Sequence, residues 1–296
     1  MKSNAMKNAV TQFITFLGAR NVSERTRSAY AKTLNEYAEF LQNHVSNWRA
    51  VKHSQVLAFL STFKEKAFAP ATMAGKISAI RTFHKFLINE NDLPFTNLCQ
   101  IRRPKISRRI PEYLTLDEIS RLLHAVRERT EEGLKNRAMI ELMYSSGLRV
   151  AEICGLKTSA LDFKAGLLRC LGKGLKERMV PIGKRAIKAC VQYWTKYRSK
   201  KNAKLCNFFV TEKSKPVTGQ RVRHFLKFYA ERIKLKKRLY PHMLRHTAAT
   251  HFLQAGANIR LVQEFLGHSS VSTTQIYTHL SNRFIKDSYL KYFPRA

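Results

Sequence analysis

The sequence predicts a mainly α-helical chain of two domains, the second carrying a small antiparallel β-sheet. Three observations lead there. Four segments between residues 7 and 90 place apolar side chains at helical spacing, with no strand-like run among them. Residues 102–113 break the pattern with two prolines and five cations in an apolar-poor run. Residues 159–182 then switch to short β-favouring runs separated by glycines.

The first helix is expected over residues 7–20, with Val10, Phe13, Ile14 and Leu17 on one face. Ser23 reads as the N-cap of a second helix that carries Tyr30, Leu34, Tyr37, Phe40 and Leu41. A third helix, residues 54–68, presents Val56, Leu57, Phe59, Leu60 and Phe63. A fourth starts near Pro70 and carries Met73, Ile77, Ile80, Phe83, Phe86 and Leu87. These make an all-α domain over residues 1–101. Arg25, Arg27, Lys32, Lys76, Arg81 and Lys85 fall on its polar faces and are expected to meet phosphate. Residues 102–113 are the linker, itself basic enough to lie against a polyanion.

The second domain, residues 114–296, opens with a capping box from Thr115 to Glu118 and a helix through Val126. A buried helix follows over residues 137–144 and ends at Ser145, Ser146 and Gly147. Gly147 allows backbone to approach a ligand closely. Arg149 sits at the turn into the next short helix, and Glu152, three residues on, is spaced to orient its guanidinium. Strands are expected over residues 160–163, 167–171 and 178–182. The second hairpin holds Lys173, whose neighbours Lys176 and Arg178 offer the same charge, so chemistry alone leaves the choice among them open. A helix over residues 184–198, a basic connection to Lys204 and a buried segment at residues 208–211 come next. Helices over residues 220–233, 242–255, 259–266, 272–277 and 282–292 complete the chain, with a basic run at residues 234–238. The last helix reads as separable from the core.

Charge bounds the partner. Lys and Arg number 54 against 20 Asp and Glu, a net charge of +34, and 44% of residues are hydrophobic. That excess points to a polyanion, and double-stranded DNA comes first. A membrane surface is disfavoured, because the sequence has no amphipathic anchor, lipidation motif or long apolar run. Five scattered cysteines without a CxxC, and no secretory signal, suit a reducing cytoplasm. No cofactor or metal is expected: His242 and His246 have i, i+4 spacing, but the glutamate of an HExxH motif is absent.

The residues that carry chemistry cluster late. His242 and Arg245 share a helical face, His268 follows a Leu-Gly break, and Tyr277 lies nine residues beyond it. A guanidinium binds two phosphate oxygens in a planar fork. An imidazole moves protons near neutral pH, and a phenol can hold a phosphoryl group covalently. Together with the run from Ser145 to Glu152, the Gly172 to Arg178 segment and the ending Phe293-Pro294-Arg295-Ala296, this set resembles the tyrosine recombinase (phage integrase) family over nearly the whole chain, and most closely its bacterial Xer-type members.

The resemblance implies a core-binding, SAM-like N-terminal domain and an α+β catalytic domain closing on DNA as a C-shaped clamp. It implies Tyr277 as nucleophile, Arg149 and Arg245 as the phosphate clamp, Lys173 as acid for the 5′-oxygen, His242 at the tyrosine proton and His268 on the phosphate. The reaction it implies is cleavage and rejoining through a 3′-phosphotyrosyl link and a Holliday junction, without cofactor, metal or ATP. Four protomers, alike or paired with a paralogous recombinase, would assemble on a DNA recombination site to resolve chromosome or plasmid dimers. An activating DNA translocase of the division machinery is a further implied partner. The C-terminal helix is expected to dock in trans. An integrase of a phage or other mobile element is the alternative. A type IB topoisomerase fits the separate N-terminal domain poorly, and a non-catalytic DNA-binding protein would not need the full set.

Overall fold

The computed structural model describes residues 2–90, 104, 112–171, 177–201, 205–267 and 282–296. The chain divides into two compact units, Met1–Arg109 and Ile110–Ala296.

The first unit contains α1 (Lys2–Ala19), α2 (Glu24–Leu41), α3 (His53–Glu65) and α4 (Pro70–Glu90). Ser23 caps α2 as its sequence position suggests, its hydroxyl accepting from the Thr26 N–H at 3.3 Å. The core is aromatic. Phe13 sits 5.4 Å from Phe83 and 5.2 Å from Phe86, and Trp48 meets Phe83 edge-on at 4.8 Å. A fully buried side chain of this kind contributes roughly 1.5–3 kcal/mol. One polar pair lies inside, Tyr37 Oη and His84 Nε2 at 3.1 Å. The sequence reading grouped Lys76 with cations that face phosphate; the structure corrects this. Lys76 Nζ lies 2.6 Å from Glu36 and over the rings of Phe63 and Phe68, with a side chain only 11% exposed.

The second unit contains α5 (Leu116–His124), α6 (Glu131–Ser145), α7 (Val150–Cys154), β1 (Leu161–Asp162), β2 (Leu167–Leu171), β3 (Glu177–Pro181), α8 (Lys184–Lys196), α9 (Gly219–Arg232), α10 (Pro241–Gln254), α11 (Ile259–Leu266) and α12 (Asn282–Tyr292). The Thr115–Glu118 capping box forms, with both reciprocal bonds in place. The sheet is antiparallel in the order β1-β2-β3, and Cys170 stands opposite Arg178. α6 is buried on every side from Gly133 to Ser145 except at Arg137, so it lacks an amphipathic stripe. α8 packs along it. Residues 208–211 make a buried aromatic centre with Tyr193, joined to the rest by isolated bridges.

The final helix belongs to this unit's own core, which corrects the reading of it as separable. Tyr289 is 1% and Phe293 4% exposed. Tyr289 stacks on Phe265 and Phe293, and its hydroxyl lies 2.9 Å from Ser145 Oγ. Arg295 then reaches Glu141 on α6 at 2.6 Å. Periodicity alone could not show this, because the surface that receives Tyr289 is assembled from α6, α10 and α11. Among the described residues no helix is long and apolar enough to cross a membrane.

Candidate active site

The site is built around one buried carboxylate. Glu152 on α7 is 6% exposed at its side chain. Arg149 is the N-cap of α7, with extended backbone, and its own N–H donates to Glu152 Oε2 at 2.7 Å. Its Nη1 donates to Glu152 Oε1 at 2.8 Å. The spacing that suggested Glu152 as an orienting group is therefore realised at the helix N-terminus, where the Glu152 carboxylate accepts from both the Arg149 N–H and its guanidinium.

Two more guanidiniums close on the same carboxylate. Arg178 of β3 binds it at two points, Nη1 to Oε1 at 2.9 Å and Nη2 to Oε2 at 3.1 Å. Arg245 of α10 lies 4.0 Å from Glu152 Oε2. Burial works to raise the Glu152 pKa, but the Arg178 hydrogen bond and the Arg149 N–H outweigh it and hold the carboxyl below the usual carboxylate range. Burial, then the neighbouring Arg149 cation, pulls Arg245 down to about 10, so it remains charged at neutral pH. Three guanidiniums around one carboxylate leave an excess of positive charge here.

Backbone carbonyls set the remaining geometry. Arg245 donates from Nη1 to Gly147 O and from Nη2 to Leu266 O, each at 2.5 Å. Arg149 Nη2 donates to Gly267 O at 3.3 Å. The two predicted clamp arginines thus hold adjacent carbonyls at the end of α11, whose next residue in sequence is His268. Gly267 ends α11 in the left-handed region at φ +64, and a Cβ there would come 2.7 Å from Arg178 Cδ. Gly147, at φ +57, would strike Leu266 and Phe265. Its close approach is to α11 side chains.

The clamp arginines differ in exposure. The Arg149 side chain is 40% exposed, whereas Arg245 is 3% exposed. His242 opens the first turn of α10 behind Pro241 and is exposed. Burial first, then the neighbouring Arg245 and Arg149 cations, lowers its pKa below the ordinary 6.5, so its imidazole is neutral at pH 7. The structure brings Arg149, Arg245 and His242 into one neighbourhood. Lys173, His268 and Tyr277 lie outside the described residues. Arg178 is the residue whose place sequence reasoning missed. In sequence it is indistinguishable from Lys173 and Lys176 as a hairpin cation, and only the β2–β3 register shows it turned onto Glu152.

Comparison with known proteins identifies the family. The Phage integrase family model matches residues 112–283, and the model of the phage integrase N-terminal SAM-like domain matches residues 10–91. A tyrosine recombinase XerD of Oceanobacillus iheyensis is 37% identical over 98% of this chain and 100% of its own length. A tyrosine recombinase XerC of Natranaerobius thermophilus is 36% identical over 98% of this chain and 100% of its own. The crystal structure of a XerH site-specific recombinase bound to palindromic difH substrate, a post-cleavage complex, shares the fold with a TM-score of 0.72 at 23% identity, over 91% of this chain and 80% of that one.

Proposed function

The chain belongs to the phage integrase family and is a tyrosine site-specific recombinase, and we propose that it exchanges DNA strands at a recombination site to resolve chromosome or plasmid dimers. The observation that carries the chemistry is the Glu152-centred cluster, which fixes two guanidiniums of the predicted clamp beside the carbonyls that precede His268. A clamp held before DNA arrives needs no reorganisation when charge develops on phosphorus.

In this reading Tyr277 attacks the scissile phosphorus and leaves a 3′-phosphotyrosyl bond. Arg149, the exposed clamp arginine, meets a non-bridging oxygen directly. Arg245 has further N–H groups beyond the two bonded to carbonyls and supports the same phosphoryl group from below. Neutral His242 accepts the tyrosine proton. His268 donates to the phosphate, and Lys173 protonates the departing 5′-oxygen. The phosphotyrosyl bond keeps the ester energy, so a 5′-hydroxyl from a partner strand reseals without ATP.

Full-length similarity to relatives named XerD and XerC favours dimer resolution over mobile-element integration. The reading includes four protomers on two DNA sites in the cytoplasm, alike or paired with a paralogue, and a translocase that activates one pair. It also includes docking of the chain's C-terminal segment on a neighbouring protomer. Strand exchange between two plasmid-borne candidate sites, with and without a paralogue, tests it. Recombinant product from the wild type and none from Tyr277→Phe is the expected result; product from both overturns the assignment of the nucleophile.

A further inference from the structure

A cavity lies between α6 and α9, apart from the clamp. It measures about 340 Å³, and its wall includes Glu132, Lys135 and Asn136 from α6 with Gln220, Arg221 and His224 from α9. Lys135 is 3% exposed, and its ammonium has no hydrogen-bond acceptor among the described residues. Asn136 Oδ1, equally buried, has no donor among them. A buried, unanswered ammonium is costly, and folded proteins rarely keep one without a use.

Two of the neighbouring carboxylates are in ion pairs. Glu131 pairs with Lys201 at 2.9 Å and Glu132 with Arg221 at 3.9 Å. Glu131, Glu132 and Glu212 favour the charged form of Lys135, yet burial and the Arg221 cation work against it, and burial dominates. Two cations thus line the cavity with Glu132 in its wall, and Glu131 and Glu212 lie near enough to act on Lys135. An anion seated there would satisfy Lys135, relieve its repulsion with Arg221, and leave the Glu131 pair intact.

We propose that this cavity binds a phosphoryl group, with Lys135 and Arg221 as its cationic ligands and Gln220 and His224 as further polar contacts. The site is separate from the catalytic cluster but joined to it. α6 runs from Lys135 to Ser145, a rise of about 15 Å, and then turns into Arg149. Gly219, the first residue of α9, packs so closely that a Cβ there would lie 3.3 Å from the Val150 methyl, next to Arg149. A phosphoryl group that draws Arg221 toward Lys135 therefore acts on the helix that abuts the clamp. The phosphoryl group is either free or part of a DNA backbone.

Calorimetric titration of the full chain with pyrophosphate tests the proposal, at about 0.2 M salt to screen exposed charges. The wild type should show a saturable one-site component. Lys135→Met should weaken it about tenfold or more, as expected for a lost hydrogen bond to a charged group, while Lys188→Met, on the exposed face of α8, leaves it unchanged. Free Lys135→Met should also melt no lower than the wild type, since it removes an unanswered charge. Absence of a saturable component, equal loss in both variants, or a lower melting point with unchanged affinity each overturns the proposal. DNA affinity of Lys135→Met then assigns the source: a fall marks a backbone phosphate, and an unchanged value marks a free one.

Discussion

Arg178 and Glu152 form a two-point ion pair at 2.9 and 3.1 Å, and Arg178 passes directly beneath Gly267. β3 is thereby tied to α7 and to the end of α11 through one guanidinium. Both terminal nitrogens of Arg178 are engaged by Glu152, and its side chain is only 15% exposed. Its part is to hold the carboxylate that holds Arg149, which makes it a positioning residue.

Removing it should therefore damage both stability and catalysis. Arg178→Ala leaves a buried carboxylate with two of its three cations, and about 3 kcal/mol of unfolding free energy should be lost, the low end for breaking a buried pair. Urea unfolding measures it. DNA cleavage should fall with it, and Arg178→Lys should restore stability better than cleavage, because a lysine cannot make the two-point contact.

The two clamp arginines should separate in their effects. Arg149→Ala removes a partly exposed side chain and should lower cleavage by about 100- to 1000-fold, the usual cost of one lost oxyanion donor, with little change in melting temperature. Arg245→Ala strips two backbone carbonyls of their donors inside the unit, so cleavage and melting temperature should fall together. Parallel melting curves and single-turnover cleavage decide this.

Gly267→Ala should be costly out of proportion to its size. The residue sits at φ +64, and the new methyl would lie 2.7 Å from Arg178 Cδ. The left-handed conformation alone costs about 1–2 kcal/mol. Displacement of Arg178 should add a cleavage defect that Ala at the exposed Ser199 does not show.

Acid should weaken the first unit through His84. Its folded pKa is lowered to about 4 from 6.5, by burial. Stability from the neutral ring is full above pH 6.5 and is lost as pH falls toward 4, in all about 3 kcal/mol. Trp48 fluorescence in a Trp194→Phe background reports it, the chain having two tryptophans. A flat profile between pH 7 and 4, or one unchanged by His84→Gln, contradicts the assignment.

Local features of the fold were legible in sequence, and relations between distant elements were not. Ser23 and Thr115 announce their helices because a cap needs only its next three residues. Glu152 was legible for the same reason. The role of Arg178 needed the register of β2 on β3 and the turn at Gly267, which lies far along the chain. Lys76 looked like a surface cation until α4 was set against Glu36 of α2. Tyr289 and Phe293 looked dispensable because their partners, Phe265 of α11 and Ser145 and Tyr144 of α6, come from two distant elements.

The central claim is that Tyr277 attacks DNA under a clamp fixed by Glu152. The most direct test incubates the wild type, Tyr277→Phe and Glu152→Gln with nicked DNA carrying candidate dimer-resolution sites, in EDTA. A covalent protein–DNA band should form with the wild type, be absent with Tyr277→Phe and be strongly reduced with Glu152→Gln. A band of equal strength from Tyr277→Phe would contradict the nucleophile, and one from Glu152→Gln would contradict the clamp.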